Sequence, residues 1–149
     1  MTSPNAVVFG LSGTDLTADE RAFLRDADPL GFILFARNLG GAAQIRRLTA
    51  ELRDVVGRAD APVLIDQEGG RVMRLRPPDW PFAPAARDVA VLYARAPEQG
   101  IAAAEDVGRM FGVMMTDLGI DVVCAPVLDL GLPETTDAIG TRAYAADPE

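Results

Sequence analysis

Short apolar runs alternate with longer amphipathic segments along this chain, and the alternation predicts its secondary structure. Four runs have the length and composition of buried strands, at residues 6–11, 31–35 and 62–65 and within 121–130. Strands that are apolar throughout and separated by helices are typical of a parallel sheet covered on both faces. The pattern therefore predicts the α/β class, as either a doubly wound sheet or a β/α barrel.

The amphipathic segments carry helix signals. Thr17 and Glu20 have the spacing of a capping box at the start of a first helix. A second helix is predicted over 41–56, where Gly57 is a suitable stop, and a third near 97–118. A long loop is predicted over residues 76–96, before the third helix, because it begins with the proline-rich stretch RPPDWPFAP.

The first strand-to-helix turn favours a barrel over a dinucleotide-binding sheet. Its sequence, GLSGTDLT, lacks the G-x-G-x-x-G pattern that dinucleotide folds use. Four strands occupy residues 6–125, so eight would need a chain close to the roughly 250 residues of a typical (β/α)8 barrel. The chain therefore has the length of about half of such a barrel, while a doubly wound sheet also satisfies the pattern.

Composition and charge narrow the function classes. The chain has 149 residues, of which 49% are hydrophobic, and a formal net charge of −8. The negative charge disfavours nucleic acid and anionic membranes as partners. The sequence shows neither a signal peptide nor a membrane span, so a cytoplasmic location is expected. Cys124 lies in an apolar run and is predicted to be a buried, inert thiol.

Histidine is absent from the sequence. A Ser-His-Asp or Cys-His site built within this chain is therefore excluded, as is any metal site that depends on histidine. Chemistry within the chain must use carboxylates, arginines and hydroxyls.

Polar residues follow three of the predicted strands. They are Arg37 and Asn38, the segment from Asp66 to Arg74, and Asp129. In parallel β/α folds the functional groups gather beyond the carboxyl ends of the strands, so we expect these residues to open onto one face. Each also has an ordinary structural interpretation: a cap with a surface charge, a solvated turn, or a turn initiator.

The stretch LIDQEGGRVMRL, residues 64–75, has the richest chemistry. It contains Asp66, Glu68, Arg71 and Arg74 around a glycine pair that permits a sharp turn. A carboxylate can accept hydrogen bonds from two vicinal hydroxyls, and a guanidinium donates in a planar fork. These groups suit a polyhydroxylated ligand.

Four motifs together resemble a known family. GFILFARN, LIDQEGGRVMRL, APVLDL and IGTRAY occur in the order and approximate spacing of the family 3 glycoside hydrolases. Within that family, the chain is most similar to the bacterial cytoplasmic β-N-acetylhexosaminidases, which remove N-acetylglucosamine from recycled cell-wall muropeptides. The resemblance covers nearly the whole chain. It implies that residues 1–149 are the N-terminal half of a (β/α)8 TIM barrel, whose C-terminal half this chain does not contain, and that no metal or organic cofactor is needed.

The resemblance also implies roles for individual residues. Asp66, Arg74 and Arg142 would bind the hydroxyls of a terminal sugar, while Glu68 and Arg71 would hold the loop. The sequence departs from the family pattern at Thr141, where an acidic residue is usual, and at Met73, where glutamine is common. The first departure bears on the role of Arg142, which follows Thr141 directly.

The resemblance implies a reaction but no catalytic residue in this chain. Family members use a Lys-His pair, a loop histidine as acid/base and a later aspartate as nucleophile, and none of these can be located in this sequence. The intact protein is expected to release terminal N-acetyl-β-D-glucosamine from a muropeptide with retention of configuration. The 149 residues alone are expected to be inactive, and to associate or aggregate through the open edge of the fourth strand.

Three alternatives stay open on the sequence alone. The protein could be a β-glucosidase-like member of the same family. It could be a magnesium-dependent barrel enzyme with Asp66, Glu68 and Asp129 as ligands. It could also be a non-catalytic module for sugar binding or assembly.

Overall fold

The computed structural model describes residues 3–148. They fall into two compact units. The first comprises the residues up to 65 together with 114–123, and the second comprises 66–113 together with the residues from 124 onward.

The chain contains six strands and four α-helices within residues 3–148. They are β1 (Asn5–Phe9), α1 (Ala18–Ala27), β2 (Pro29–Leu34), α2 (Ala42–Val56), β3 (Val63–Ile65), β4 (Gln67–Gly69), β5 (Val72–Met73), α3 (Ala86–Arg95), α4 (Pro97–Leu118) and β6 (Val122–Val123). Short 3-10 helices cover Ala36–Asn38 and Gly140–Arg142.

The first unit contains a four-stranded parallel sheet in the order β1-β2-β3-β6. The helices α1 and α2 connect its first three strands, so strands and helices alternate as the hydrophobic pattern predicts. The core consists of side chains from the sheet and from α2, among them Phe32, Leu34, Val63, Ile65, Ile45, Leu48 and Leu52. The predicted α/β class with a parallel sheet is therefore confirmed.

The predicted capping box of α1 is present. The Thr17 hydroxyl accepts from the Glu20 N–H at 3.1 Å, and the Glu20 carboxylate accepts from the N–H groups of Thr17 and Ser12, both at 2.9 Å. Partial burial raises the pKa of Glu20, but the hydrogen bonds from Thr17 and Ser12 outweigh it and lower the pKa to about 2. The helix start is thus fixed by a carboxylate that stays ionised in mild acid.

The other helix boundaries also follow local signals. Helix α2 ends at Gly57, which has a φ of 64°, and α4 is followed by Gly119, which has a φ of 71°. Glycine adopts this left-handed conformation without the steric penalty that other residues meet. Both glycines lie where the sequence predicts the helices to end.

The second unit contains two elements that the sequence analysis does not predict. Residues 67–73, expected to be a turn, form the antiparallel hairpin β4–β5. The segment 76–96, expected to be a loop, contains helix α3. The sequence signal for its start is Asp88 at the third helical position, an acid in the first turn. In the structure the Asp88 carboxylate accepts from the Ala85 N–H at 3.1 Å.

Two further observations concern exposure. Cys124 is half-buried, so the prediction of a buried thiol is wrong. Among residues 3–148, no helix combines the length and the apolar character needed to cross a lipid bilayer.

Candidate functional site

The candidate site is built around the turn of the β4–β5 hairpin in the second unit. Gly69 and Gly70 have φ values of 100° and 53°. A Cβ on Gly69 would overlap the carbonyl oxygen of Pro84, and one on Gly70 would lie 2.6 Å from the Ala85 Cβ. Both the backbone conformation and the close approach of a neighbouring segment therefore require glycine at this turn.

Asp66 and Arg74 flank this hairpin and form an ion pair. Arg74 Nη2 donates to Asp66 Oδ2 at 2.6 Å. The two side chains are 25% and 26% exposed, so the pair is partly withdrawn from water. The residues lie eight positions apart in sequence, and the hairpin brings them together.

Glu68 forms a second carboxylate–arginine pair, with Arg142. Arg142 Nε donates to Glu68 Oε2 and its Nη2 to Glu68 Oε1, each at 2.8 Å. This two-point geometry orients the guanidinium as well as binding it. The Glu68 side chain is only 8% exposed.

Carboxylates other than its hydrogen-bond partner also act on the Arg142 guanidinium. The hydrogen bond to Glu68 raises the pKa of the Arg142 guanidinium, against a smaller opposing effect of desolvation. The negative charges of Glu68, Asp129 and Asp66 raise it further. Arg142 therefore lies in the field of Asp66 and Asp129, and the structure brings together residues that the sequence places far apart.

Arg71 ties the hairpin to the segment before Arg142. Its Nη2 donates to the backbone carbonyls of Asp137, Ala138 and Ile139 at 2.7, 2.5 and 3.1 Å. These contacts agree with the expected loop-holding role of Arg71, and the Arg142 pair agrees with that of Glu68. Both residues engage protein groups and stabilise the segments that present the site.

Gln67 is the residue of this site that the sequence analysis missed. It is fully buried, and its Oε1 accepts from the N–H groups of Arg74 and Leu75 at 2.9 and 3.0 Å. Its Nε2 donates to the Leu75 carbonyl at 3.0 Å. Its burial had a signal in the sequence, namely its position between Asp66 and Glu68. Alternate residues of an extended chain point to opposite sides, so Gln67 faces away from the two acids.

Arg37 and Asn38 belong to the first unit and have structural contacts there. Asn38 is fully buried, and its amide donates to the carbonyls of Leu11 and Gly13 at 3.2 and 2.8 Å. Arg37 donates to the Leu11 carbonyl at 2.7 Å and lies over the Phe35 ring. These contacts favour the structural interpretation of Asn38 over a ligand-binding one.

The arrangement offers little to a metal ion. Within residues 3–148, no group of three or more acidic, cysteine or histidine side chains is placed to hold one. Asp66 and Glu68, which the magnesium alternative requires, are both engaged by arginines. What the site can do chemically is present carboxylate acceptors and guanidinium donors side by side, as a polyhydroxylated ligand requires.

Comparison with known proteins identifies the family. The model of the glycosyl hydrolase family 3 N terminal domain matches residues 6–149. The chain belongs to this family. The predicted family is thereby confirmed, and the four motifs that suggested it lie within the matched residues.

Curated relatives of this family 3 chain share its sequence over almost all of its length. It is 37% identical over 143 residues to a β-hexosaminidase of Stenotrophomonas maltophilia, covering 96% of this chain and 42% of that protein. It is 39% identical over 145 residues to a β-hexosaminidase of Xanthomonas oryzae pv. oryzae, with the same coverage of both. The chain thus spans less than half the length of these relatives.

A solved structure agrees with this family 3 assignment. NagZ from Neisseria gonorrhoeae, in complex with N-trifluoroacetyl-D-glucosamine, superposes with a TM-score of 0.88 at 30% identity, over 97% of this chain and 41% of NagZ. The N-terminal domain of NagZ has a TIM-barrel-like fold. The predicted fold class, α/β with a parallel sheet and similarity to a TIM-barrel-like domain, is confirmed.

Proposed function

We propose that the protein containing this chain is a glycosidase that hydrolyses terminal, non-reducing N-acetyl-β-D-glucosamine residues. The observation that carries the proposal is the pair of carboxylate–arginine contacts, Asp66–Arg74 and Glu68–Arg142, within a family 3 domain. The relatives that share this sequence are β-hexosaminidases, and the NagZ structure holds an N-acylated glucosamine.

The proposed sugar-binding residues are Asp66, Arg74 and Arg142. Asp66 would accept hydrogen bonds from two neighbouring hydroxyls of the terminal sugar, and Arg74 would donate to a third oxygen. Arg142, oriented by Glu68, would donate from the opposite segment. Charged partners roughly double the strength of such hydrogen bonds, so these contacts would provide much of the sugar's binding energy.

The proposed reaction retains the configuration of the anomeric carbon. An aspartate would attack that carbon, while a histidine would protonate the leaving oxygen and then activate water. We assign neither role to a residue of this chain. We propose instead that residues 1–149 are the N-terminal portion of the catalytic domain and that these groups lie in the rest of a longer protein.

We propose peptidoglycan-derived muropeptides as the physiological substrate and the cytoplasm as the site of action. Support comes from the resemblance of the DQEGGRV motif and its companions to the enzymes of muropeptide recycling. The proposal involves no nucleic-acid or membrane partner and no cofactor.

The test is to offer the complete gene product a chromogenic N-acetyl-β-D-glucosaminide and the matching β-D-glucoside. We expect cleavage of the first to be strongly preferred. Preferential cleavage of the glucoside would support the β-glucosidase-like alternative. Failure to cleave either, with retained binding of N-acetylglucosamine, would support the non-catalytic sugar-binding module.

A further inference from the structure

Gln67 is a buried polar side chain whose hydrogen-bonding groups are engaged by one short backbone segment. Its relative exposure is 0%, and its partners are the N–H of Arg74 and both the N–H and the carbonyl of Leu75. Burying an amide is unfavourable unless its polar atoms find partners, so these contacts hold the side chain and the segment together.

The segment that Gln67 binds follows directly after the last paired residue of the hairpin. In the β4–β5 ladder Gln67 pairs with Met73, and the register is irregular between Gln67 and Gly69. Beyond Met73 the Gln67 amide supplies the hydrogen bonds that a partner strand would otherwise provide. The Gln67 side chain therefore holds the backbone at Arg74, which lies beyond the paired residues of the β4–β5 ladder and whose N–H donates to Gln67 instead.

The residues on either side of Gln67 carry the carboxylates of the site. The Asp66 side chain is 25% exposed and that of Glu68 is 8% exposed, whereas Gln67 between them is fully buried. Alternate residues of an extended chain point to opposite sides. Gln67 thus anchors the same short stretch from which Asp66 reaches Arg74, at 2.6 Å. The Gln67 amide bonds the backbone of Arg74, and Gln67 is the sequence neighbour of Asp66.

We propose that Gln67 is a positioning residue for sugar binding: it holds the Arg74 backbone so that the guanidinium and the Asp66 carboxylate face the same sugar. This inference rests on the proposed function. Gln67 acts through Arg74 and makes no contact with the sugar itself.

The test uses the complete gene product and the substitution Gln67→Met, which keeps the length of the side chain and removes its hydrogen bonds. We expect KM for the chromogenic N-acetylglucosaminide to rise about tenfold or more, since several hydrogen bonds are lost, with a smaller change in kcat. Amide exchange at Arg74 and Leu75 should become faster at the same time.

A double-mutant cycle separates positioning from general stability. If Gln67 acts through Arg74, then adding Gln67→Met to Arg74→Ala should raise KM by less than about twofold further, because coupled residues are not additive. Gln67→Glu gives a second readout. When protonated, its carboxyl group can again donate and accept, so its KM should approach the wild-type value as pH falls.

Thr49→Val is the matched control. Thr49 is buried in the first unit, where its hydroxyl donates to the Leu118 carbonyl at 2.9 Å. The control should lower thermal stability and leave KM unchanged.

Distinct outcomes overturn the inference and the proposed function. An unchanged KM in Gln67→Met, or full additivity with Arg74→Ala, would overturn the inference while the wild-type activity still stands. A wild-type protein that neither cleaves nor binds the N-acetylglucosaminide would overturn the proposed function and, with it, the inference. The wild-type assay alone would show this second outcome, before any variant is measured.

Discussion

Asp66 combines a tight ion pair with partial exposure, and this combination suits a binding residue. A fully solvated pair would contribute little, and a fully buried pair could not reach a ligand. At 25% exposure, the carboxylate can keep its contact with Arg74 and still accept from sugar hydroxyls. The ion pair also orients the Arg74 guanidinium toward the Asp66 carboxylate.

We predict that Asp66→Asn lowers kcat/KM of the complete gene product for the N-acetylglucosaminide by about ten- to a hundredfold. The substitution keeps the shape and removes the charge, and a hydrogen bond to a charged group contributes about 1.5–3 kcal/mol. Steady-state kinetics would measure the change.

Asp60→Asn is the control for this prediction, because Asp60 is an exposed carboxylate of the first unit. It should leave kcat/KM unaltered. Equal effects of the two substitutions would show that Asp66 matters only through overall charge.

Contacts of the site between residues close in sequence could be predicted, and contacts between residues far apart in sequence could not. Asp66 and Arg74 lie within one motif, so their association with a single turn was predictable. Glu68 and Arg142 are 74 residues apart, and no local pattern reveals which acid meets which arginine. The role of Gln67 was missed because its partners are backbone groups, which the sequence does not distinguish.

At the scale of single elements, the start of α1 predicts a pH dependence. The carboxylate of Glu20 has a pKa lowered from 4.5 to about 2 in the folded state. Its stabilising contribution is therefore complete above pH 4.5 and is lost as pH falls toward 2. We predict that the stability advantage of wild type over Glu20→Gln, measured by urea unfolding, is constant near neutral pH and shrinks across this acidic window.

Asp19→Asn serves as the comparison, since Asp19 is exposed in the same first turn. Its stability difference from wild type should change less over the same window. A Glu20→Gln difference that does not vary with pH would contradict the assigned hydrogen bonds.

The geometry of the β4–β5 hairpin turn leads to a second prediction, about stability. Gly69→Ala should destabilise the protein by about 1–3 kcal/mol, because its φ is 100° and the new methyl group would overlap the Pro84 carbonyl oxygen. Gly108→Ala is the matched control. Apart from the backbone of its own helix and its two chain neighbours, a Cβ at this position of α4 meets no described atom within 4 Å. Alanine should therefore stabilise the helix by about 0.5–1 kcal/mol.

Urea unfolding of both variants checks the sign of each effect. A Gly69→Ala variant as stable as wild type would contradict the close approach of the hairpin to the segment 83–85.

Elements with strong periodicity were predicted well, and short or proline-flanked ones were not. Helix α2 and its glycine stop follow from a regular apolar stripe. The strands β4 and β5 are too short for alternation to be recognised, and the hairpin depends on packing of its turn. Helix α3 follows a proline-rich stretch, which led the whole segment to be predicted as a loop.

At the scale of the whole chain, the open sheet leads to a prediction about residues 1–149 alone. Within the described residues, β6 pairs with β3 on one side and lies at an edge of the sheet, and Val122 is 40% exposed. We predict self-association through this edge and no cleavage of the N-acetylglucosaminide. Sedimentation velocity and a chromogenic assay would test both, and Val122→Lys should reduce the association.

A monodisperse monomer that unfolds cooperatively would contradict the first part of this prediction. Cleavage by the isolated chain would contradict the second and would require a catalytic pair within these residues.

The first unit is discontinuous in sequence. Its sheet takes β1, β2 and β3 from the residues up to 65 and β6 from residues 114–123. During synthesis on the ribosome, β1, β2 and β3 emerge well before β6. Leu64 and Ile65 therefore remain without their strand partners Val122 and Val123 until β6 has been made. We expect nascent chains stalled before residue 122 to expose β3 and to recruit chaperones. Translation speed across the intervening segment 66–113 would then influence the yield of folded protein.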